Sequence, residues 1–112
     1  MNARLDQDSL ALLCGLGELY RRAGEPQRGL VMLLIGAQLA PADPALLRSL
    51  AQAFTATGDS GRALNALDRL QTLGTGEPSD HLLRARALWR HGEQTQARAC
   101  FRDYLAQRSL TL

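Results

Sequence analysis

The stretch FTATGDSGRA, residues 54–63, contains a glycine followed by an acid, and this pair decides the fold because it recurs. The chain carries it as Gly24-Glu25, Gly58-Asp59 and Gly92-Glu93, with 34 residues from each glycine to the next. A helix that ends in a left-handed residue favours glycine there, because glycine has no Cβ to clash. The acid after it is stabilised by the positive end of the next helix dipole. Each pair therefore predicts the turn of a helical hairpin.

Helical periodicity on both sides of these turns predicts six helices and no strand. We place the helices at about 10–22, 26–39, 44–56, 60–72, 78–90 and 94–107. Small residues recur seven positions before and five positions after each turn glycine, where they let the two helices of a hairpin approach closely. They are Gly17 and Gly29, Ala51 and Ala63, and Ala85 and Ala97. The period thus extends well beyond the turns.

The starts of the first helices also follow the period. Ser9, Asp43 and Glu77 share one repeat position and are predicted N-caps, with glutamate the poorest of the three. Pro44 and Pro78 follow directly, at the first helical position, where the missing N–H is not needed. Each repeat therefore begins with the same kind of helix start.

The order of residue types in each unit resembles the tetratricopeptide repeat. The middle unit shows the pattern in Leu47, Leu50, Ala51, Phe54, Gly58-Asp59, Ala63 and Leu67. The resemblance implies an all-α fold, a right-handed α-solenoid of three helix-turn-helix repeats in one domain, residues 1–112. The repeats span about 10–43, 44–77 and 78–111. The third unit departs at His81 and Arg84, where large apolar residues are expected, so we expect looser packing at the start of helix 78–90.

Composition argues against several functional classes. The net charge of +2 is too small to predict a nucleic-acid partner, although all 13 cationic residues are arginine. The longest apolar run, residues 30–37, is far shorter than the ~18 residues of a membrane span. Residues 1–9 are polar and do not resemble a secretory signal, which favours a cytoplasmic location. Cys14 and Cys100 lie at opposite ends of the predicted stack, so we expect two buried thiols and no bridge between them.

No catalytic or metal-binding constellation is recognisable. His81 and His91 are ten residues apart, too far for a helical metal-ligand pair. Cys14 has no histidine near it in sequence to act as an activating base. We therefore predict that the protein is not an enzyme and needs no cofactor.

Binding is the better prediction, since stacked hairpins form a concave face lined by the first helix of each pair. By register this face carries Cys14, Glu18, Arg21, Arg22, Arg48, Gln52, Thr55, Leu82, Arg86, Trp89 and Arg90. Tryptophan and arginine are enriched at binding hot spots. The candidate partner-binding residues are therefore Arg21, Arg22, Arg48, Leu82, Arg86 and Trp89. The alternative is that the arginines form an ordinary solvated face and that Trp89 belongs to the core of the last repeat.

A second candidate surface lies on the helix predicted at 26–39. Its outward positions hold Val31, Leu34 and Ile35, whereas the matching positions of the next repeat are polar: Asn65, Asp68 and Arg69. A contiguous exposed apolar patch usually marks an interface. The alternative is that Leu5 and the N-terminal segment cover it.

The last helix raises a similar question at the other end of the stack. Phe101, Tyr104 and Leu105 belong to a terminal repeat that no later repeat covers. Either Leu110 and Leu112 fold back over them or a partner does so.

The chain as a whole resembles the small cytosolic chaperones of bacterial type III secretion systems, in particular the YscY (SctY) family. The resemblance lies in the short polar N-terminus, the leucine-rich first hairpin that ends in LAP at residues 39–41, and ARACFRDYL at residues 97–105. It implies that the protein binds and stabilises a small secreted partner, a YscX-like protein, and that the pair engages the export-gate membrane protein. A homodimer in the absence of the partner is a further expectation.

Two alternatives remain open. One is a needle-subunit chaperone resembling YscG, which has a similar size and repeat number. The other is a general tetratricopeptide adaptor that grips a C-terminal carboxylate. Such a clamp uses lysine and asparagine on the first helices, and this chain has no lysine and carries Cys14 and Glu18 where two of those residues would be.

Overall fold

The computed structural model describes the backbone of residues 3–111 and the side chains of residues 6–110. The described residues form helices joined by short turns, with no strand among them, as expected. The helices are α1 (Ala3–Arg22), α2 (Pro26–Leu39), α3 (Pro44–Ala56), α4 (Ser60–Thr72), α5 (Pro78–Arg90) and α6 (Gln94–Thr111). The predicted bounds of α2, α3, α4 and α5 agree with the structure.

The outer ends of α1 and α6 differ from the prediction. Ser9 lies inside α1 and is not its N-cap, because residues 3–9 contain no glycine or proline and Asp6 favours the first turn. At the other end α6 continues through Leu110, which is 86% exposed and does not fold back over Phe101. Leu112 lies outside the described residues, and so does the side chain of Leu5, the predicted cover for the apolar patch.

The three turn glycines have the left-handed backbone that the sequence predicts. Their φ angles are 81° at Gly24, 87° at Gly58 and 89° at Gly92. In each turn the next amide donates back to a carbonyl of the preceding helix, at 2.8, 2.8 and 2.9 Å; the pairs are Glu25 to Tyr20, Asp59 to Phe54 and Glu93 to Leu88. This six-to-one bond satisfies a helix-terminal carbonyl, and it requires the glycine conformation. Gly24, Gly58 and Gly92 are therefore structural residues.

Close helix approach is most pronounced in the first hairpin. A Cβ added to Gly29 would lie 2.6 Å from the backbone oxygen of Gly17, and a Cβ on Gly17 would lie 2.8 Å from Cγ of Leu33. The backbones of α1 and α2 thus touch where the sequence places two glycines. In the third hairpin the same positions are alanines, and Ala85 and Ala97 are both buried.

The core is centred on the middle hairpin. Its fully buried large side chains are Leu33, Leu46, Leu47 and Leu70, joined by Leu50, Phe54, Leu67 and several alanines. The first helix of each later hairpin packs against both helices of the preceding one: α3 contacts α1 and α2, and α5 contacts α3 and α4. Each later hairpin is therefore stabilised by the one before it in the chain.

Ion pairs join the second and third hairpins. Arg48 Nε donates to Asp80 Oδ1 at 2.8 Å, and Arg84 Nη1 donates to Asp68 Oδ1 at 2.8 Å. As expected, the start of α5 is less buried than that of α3: Leu47 is 1% exposed, whereas His81 at the equivalent position is only half-buried. Polar contacts thus replace part of the apolar packing at this junction.

Candidate functional site

The inner face of the stack and the end formed by α5 and α6 share one large cavity, which we call the groove. Its volume is about 1050 Å³. It is lined by Arg21 of α1, by Gln52, Thr55 and Ala56 of α3, by Leu82, Leu83, Ala85, Arg86, Trp89 and Arg90 of α5, and by Thr95, Ala97, Arg98, Phe101 and Arg102 of α6. All three hairpins therefore contribute to it.

Four of the six candidate partner-binding residues of the concave face lie in the groove. They are Arg21, Leu82, Arg86 and Trp89. Trp89 is 51% exposed, so it is not a core residue of the last repeat. Its indole forms part of an accessible apolar surface, as a binding residue requires.

The structure places Arg48 and Arg22 elsewhere. The side chain of Arg48 is 19% exposed and is held at the junction of α3 and α5, where it bonds to Asp80 and to the carbonyl oxygen of Thr75 at 2.7 Å. Arg22 donates from Nε to Glu18 at 2.9 Å and does not line the groove. Arg48 therefore joins two repeats.

The α6 side of the groove is not among the predicted residues. The equivalent residues of the three second helices are Leu33, Leu67 and Phe101, and their exposed fractions are 2%, 2% and 44%. The first two are covered by the following hairpin, whereas no described residue covers Phe101 in the same way. The sequence signal for this surface was the uncovered aromatic residue of the last repeat.

The groove is strongly basic and has an apolar floor. Five arginines line it, and no described aspartate or glutamate does. Arg21 is paired with Glu18, whose Oε1 lies 2.6 Å from its Nη2; this hydrogen bond is the main reason that the pKa of Glu18 is lowered. Arg90 donates to the carbonyl oxygen of Thr55 at 3.3 Å. The remaining three, Arg86, Arg98 and Arg102, form no ion pair within residues 6–110.

The predicted outer patch is exposed, as the sequence indicates. We use the name outer patch for Val31, Leu34 and Ile35, which are 53%, 42% and 47% exposed on α2. The polar residues at the matching positions of α4 are exposed as well. The outer patch lies on the first hairpin, whereas Trp89 and Phe101 lie on the third. Its use as an interface remains a prediction.

The described structure gives little support for a reactive cysteine or a metal site. Cys14 and Cys100 are free and half-buried, and burial is the main cause that raises the pKa of each thiol, which disfavours the reactive thiolate. A smaller cavity of about 570 Å³ near α4 and α6 includes His81, Cys100 and Asp103. Within the described residues, no three ligating side chains are grouped as a metal ion requires, and no helix is long and apolar enough to cross a membrane.

A solved structure has the same architecture as this chain. The TPR domain of Arabidopsis FLU superposes with a TM-score of 0.82 at 17% sequence identity, over 94% of this chain and 98% of that one. The chain has the tetratricopeptide-repeat fold. No family model and no curated protein matches the sequence. Stacked helical repeats form extended concave surfaces that such proteins use for binding.

Proposed function

We propose that this protein is a cytosolic chaperone of a bacterial type III secretion system, similar to YscY. In this role it binds and stabilises a small secreted partner, a YscX-like protein, and helps to present that partner to the export gate. The proposal is supported by the sequence resemblance at residues 39–41 and 97–105 and by the tetratricopeptide fold, which covers almost the whole chain.

The observation that carries the proposal is the presence of two different uncovered surfaces on one small stack. The groove combines Trp89 and Phe101 with arginines, and the outer patch is purely apolar. A chaperone that presents its cargo must hold the cargo and meet the receiving protein at the same time. The outer patch lies on the first hairpin and the aromatic residues of the groove lie on the third, which allows both contacts, with the cargo in the groove and the export gate, or a second copy of this chain, on the outer patch.

The first test is genetic and biochemical. The proposal expects a neighbouring gene for a small secreted protein among export-apparatus genes. Co-expression of the two should give a soluble complex in size-exclusion chromatography, and the partner alone should be unstable. If no such gene is adjacent and the chain instead captures proteins unrelated to secretion, the general adaptor function is correct.

The second test assigns the two surfaces. Trp89→Ala with Arg86→Glu should release the small partner, whereas substitution of the outer patch should leave that complex intact. A complex that survives both sets of substitutions would show that neither surface holds the cargo. Circular dichroism on each variant serves as the control for folding.

A further inference from the structure

Each hairpin of the stack receives the first helix of the next hairpin, and the groove lies where the last hairpin would receive another helix. In the stack, α3 lies against the hairpin of α1 and α2, and α5 lies against the hairpin of α3 and α4. A contact of this kind is visible at Gly36 of α2, where an added Cβ would lie 3.3 Å from Cδ1 of Leu46 in α3. The next position in the series is the surface of α5 and α6. No described residue occupies it.

The side chains of this surface fit an incoming helix. Leu67 of α4 is 2% exposed, whereas Phe101, one repeat later, is 44% exposed. Trp89 and Leu82 continue the apolar surface on α5. A helix is 10–12 Å across, and the groove volume of about 1050 Å³ exceeds most small-molecule sites, which range up to about 1,000 Å³. The groove is therefore of a size for a polypeptide segment.

The charges at this position differ from those inside the stack. At the previous junction, Asp68 of α4 accepts an ion pair from Arg84 of α5 at 2.8 Å. One repeat later the residue that corresponds to Asp68 is Arg102, so the sign is reversed. In the same register Leu64, which packs partly buried against the core, is replaced by Arg98. A helix docked here would meet Arg102 where α5 meets Asp68.

The exposed arginines of the groove favour a bound segment with acidic side chains. Covering a guanidinium without an acceptor is costly, and leaving a covered charge unpaired is strongly destabilising. Carboxylates satisfy arginine in bidentate geometry and give strong charge-assisted hydrogen bonds. Because Arg86, Arg98 and Arg102 have no carboxylate partner within residues 6–110, an occupant that covers them is stabilised by acids at the edges of its apolar stripe.

We infer that the groove binds an acidic amphipathic helix of a partner protein, docked on α5 and α6 as α3 and α5 dock on the hairpins before them. Apolar side chains at helical spacing contact Trp89 and Phe101, and flanking aspartates or glutamates pair with Arg86, Arg98 and Arg102. The inference rests on the proposed function, since it specifies the segment that the groove holds.

The test is selection from a displayed library of random 18-residue peptides on the full-length chain. Recovered peptides are then titrated against the protein, with Trp89, the single tryptophan, as the fluorescent reporter. We expect net-negative sequences with apolar residues at i, i+3, i+4 and i+7. Their binding should cause a blue shift of the tryptophan emission, and added salt should weaken it.

Charge-reversal variants identify the site. Arg98→Glu with Arg102→Glu should weaken binding of the selected peptides at least tenfold. The matched control, Arg28→Glu with Arg62→Glu, changes the net charge equally at side chains that are both 69% exposed and outside the groove, and it should bind normally.

Other results would overturn the acidic-helix inference, and each would do so in a different way. Neutral or basic peptides that need the groove would overturn the acidic-helix inference and leave the proposed protein-binding function standing. Acidic peptides that bind the Arg98/Arg102 variant as well as the parent would also overturn it. A 20-nucleotide uridine RNA that binds the groove more tightly than every selected peptide would replace it with nucleic-acid binding. If no peptide depends on the groove, the inference is wrong, and the complex of the chain with its neighbouring gene product decides the proposed function separately.

Discussion

The first and third hairpins share one register but differ in what they present. In the first, α1 and α2 touch through glycine backbones, Arg21 and Arg22 are both paired with Glu18, and the outer patch is exposed and uncharged. In the third, alanines separate the helices, and the exposed aromatic residues are surrounded by arginines without carboxylate partners in the described structure. The lesson is that identical folds can offer recognition of different kinds. The outer patch can favour any apolar surface, whereas the groove can discriminate by charge.

The close approach of the first hairpin gives the largest expected effect. Gly29→Ala would place Cβ within 2.6 Å of a backbone oxygen, which cannot rotate away as a side chain can, so we expect a loss of about 3 kcal/mol in unfolding free energy. The reverse change in the third hairpin, Ala97→Gly, should cost about 1–2 kcal/mol through lost burial and helix propensity. Urea denaturation of both variants measures the difference. Equal losses would show that the two hairpins tolerate helix approach alike.

The groove should show the next largest effect, in binding. Trp89→Ala should weaken partner binding by about 2 kcal/mol, or about 30-fold, because a half-exposed indole at the centre of an interface is a typical hot spot. Leu73→Ala is the control, since Leu73 is 42% exposed and lies outside both surfaces. Helicity of both variants should equal that of the parent. Unchanged affinity in folded Trp89→Ala would remove the tryptophan from the interface.

The outer patch should govern self-association. A triple variant, Val31→Asn, Leu34→Asp and Ile35→Arg, copies the matching residues of α4 and should therefore keep the fold. We expect at least tenfold weaker self-association by light scattering, because three exposed apolar side chains no longer drive contact. Leu110→Asp, at another exposed leucine, serves as the control. If the triple variant scatters light as the parent does, the patch is not a homodimer interface.

Removing the Glu18–Arg21 ion pair of the first hairpin should have the smallest effect, a small loss of unfolding free energy. The pKa of Glu18 lies below its ordinary value of 4.5, chiefly because Arg21 donates a hydrogen bond to it. A lowered carboxyl pKa stabilises the fold above pH 4.5, and this contribution disappears as the pH falls through the folded-state pKa. Glu18→Gln should therefore cost less than 1 kcal/mol at pH 7, since the pair is partly exposed, and almost nothing at pH 3. A cost that does not change with pH would mean that the pair is not electrostatic in origin.

Local signals explain which parts of the fold the sequence could predict. Glycine and proline act on their own backbone, so the ends of α2 through α5 and the three turns could be placed from sequence. The start of α1 and the end of α6 have no such residue, and Ser9 continues the helix although it is a good N-cap type. Helix ends without a breaker depend on packing that the local sequence does not encode.

Only some of the groove residues could be predicted from the sequence, because helix register does not show contacts between residues that are far apart in the chain. Trp89, Leu82 and Arg86 could be assigned to the groove because register alone puts them on a first helix. Arg48 could not be separated from them, since its partner Asp80 is 32 residues away and acts only in the folded stack. Register also assigns second helices to the outside of a continuous stack, so it gave no reason to place Arg98 in the groove.

The pattern of contacts between the helices predicts which parts of the stack open most easily. Within the described residues, α1 and α2 make no backbone-level contact with α5 or α6, so α3 and α4 carry every connection between the two outer hairpins. Opening either outer hairpin breaks one interface, whereas opening the middle one breaks two. Amide hydrogens should therefore exchange fastest in the outer hairpins and slowest around Leu46 and Leu67. The outer patch and the aromatic residues of the groove lie on the hairpins that open most easily, so a partner bound to Trp89 and Phe101 would slow exchange mainly in the third hairpin.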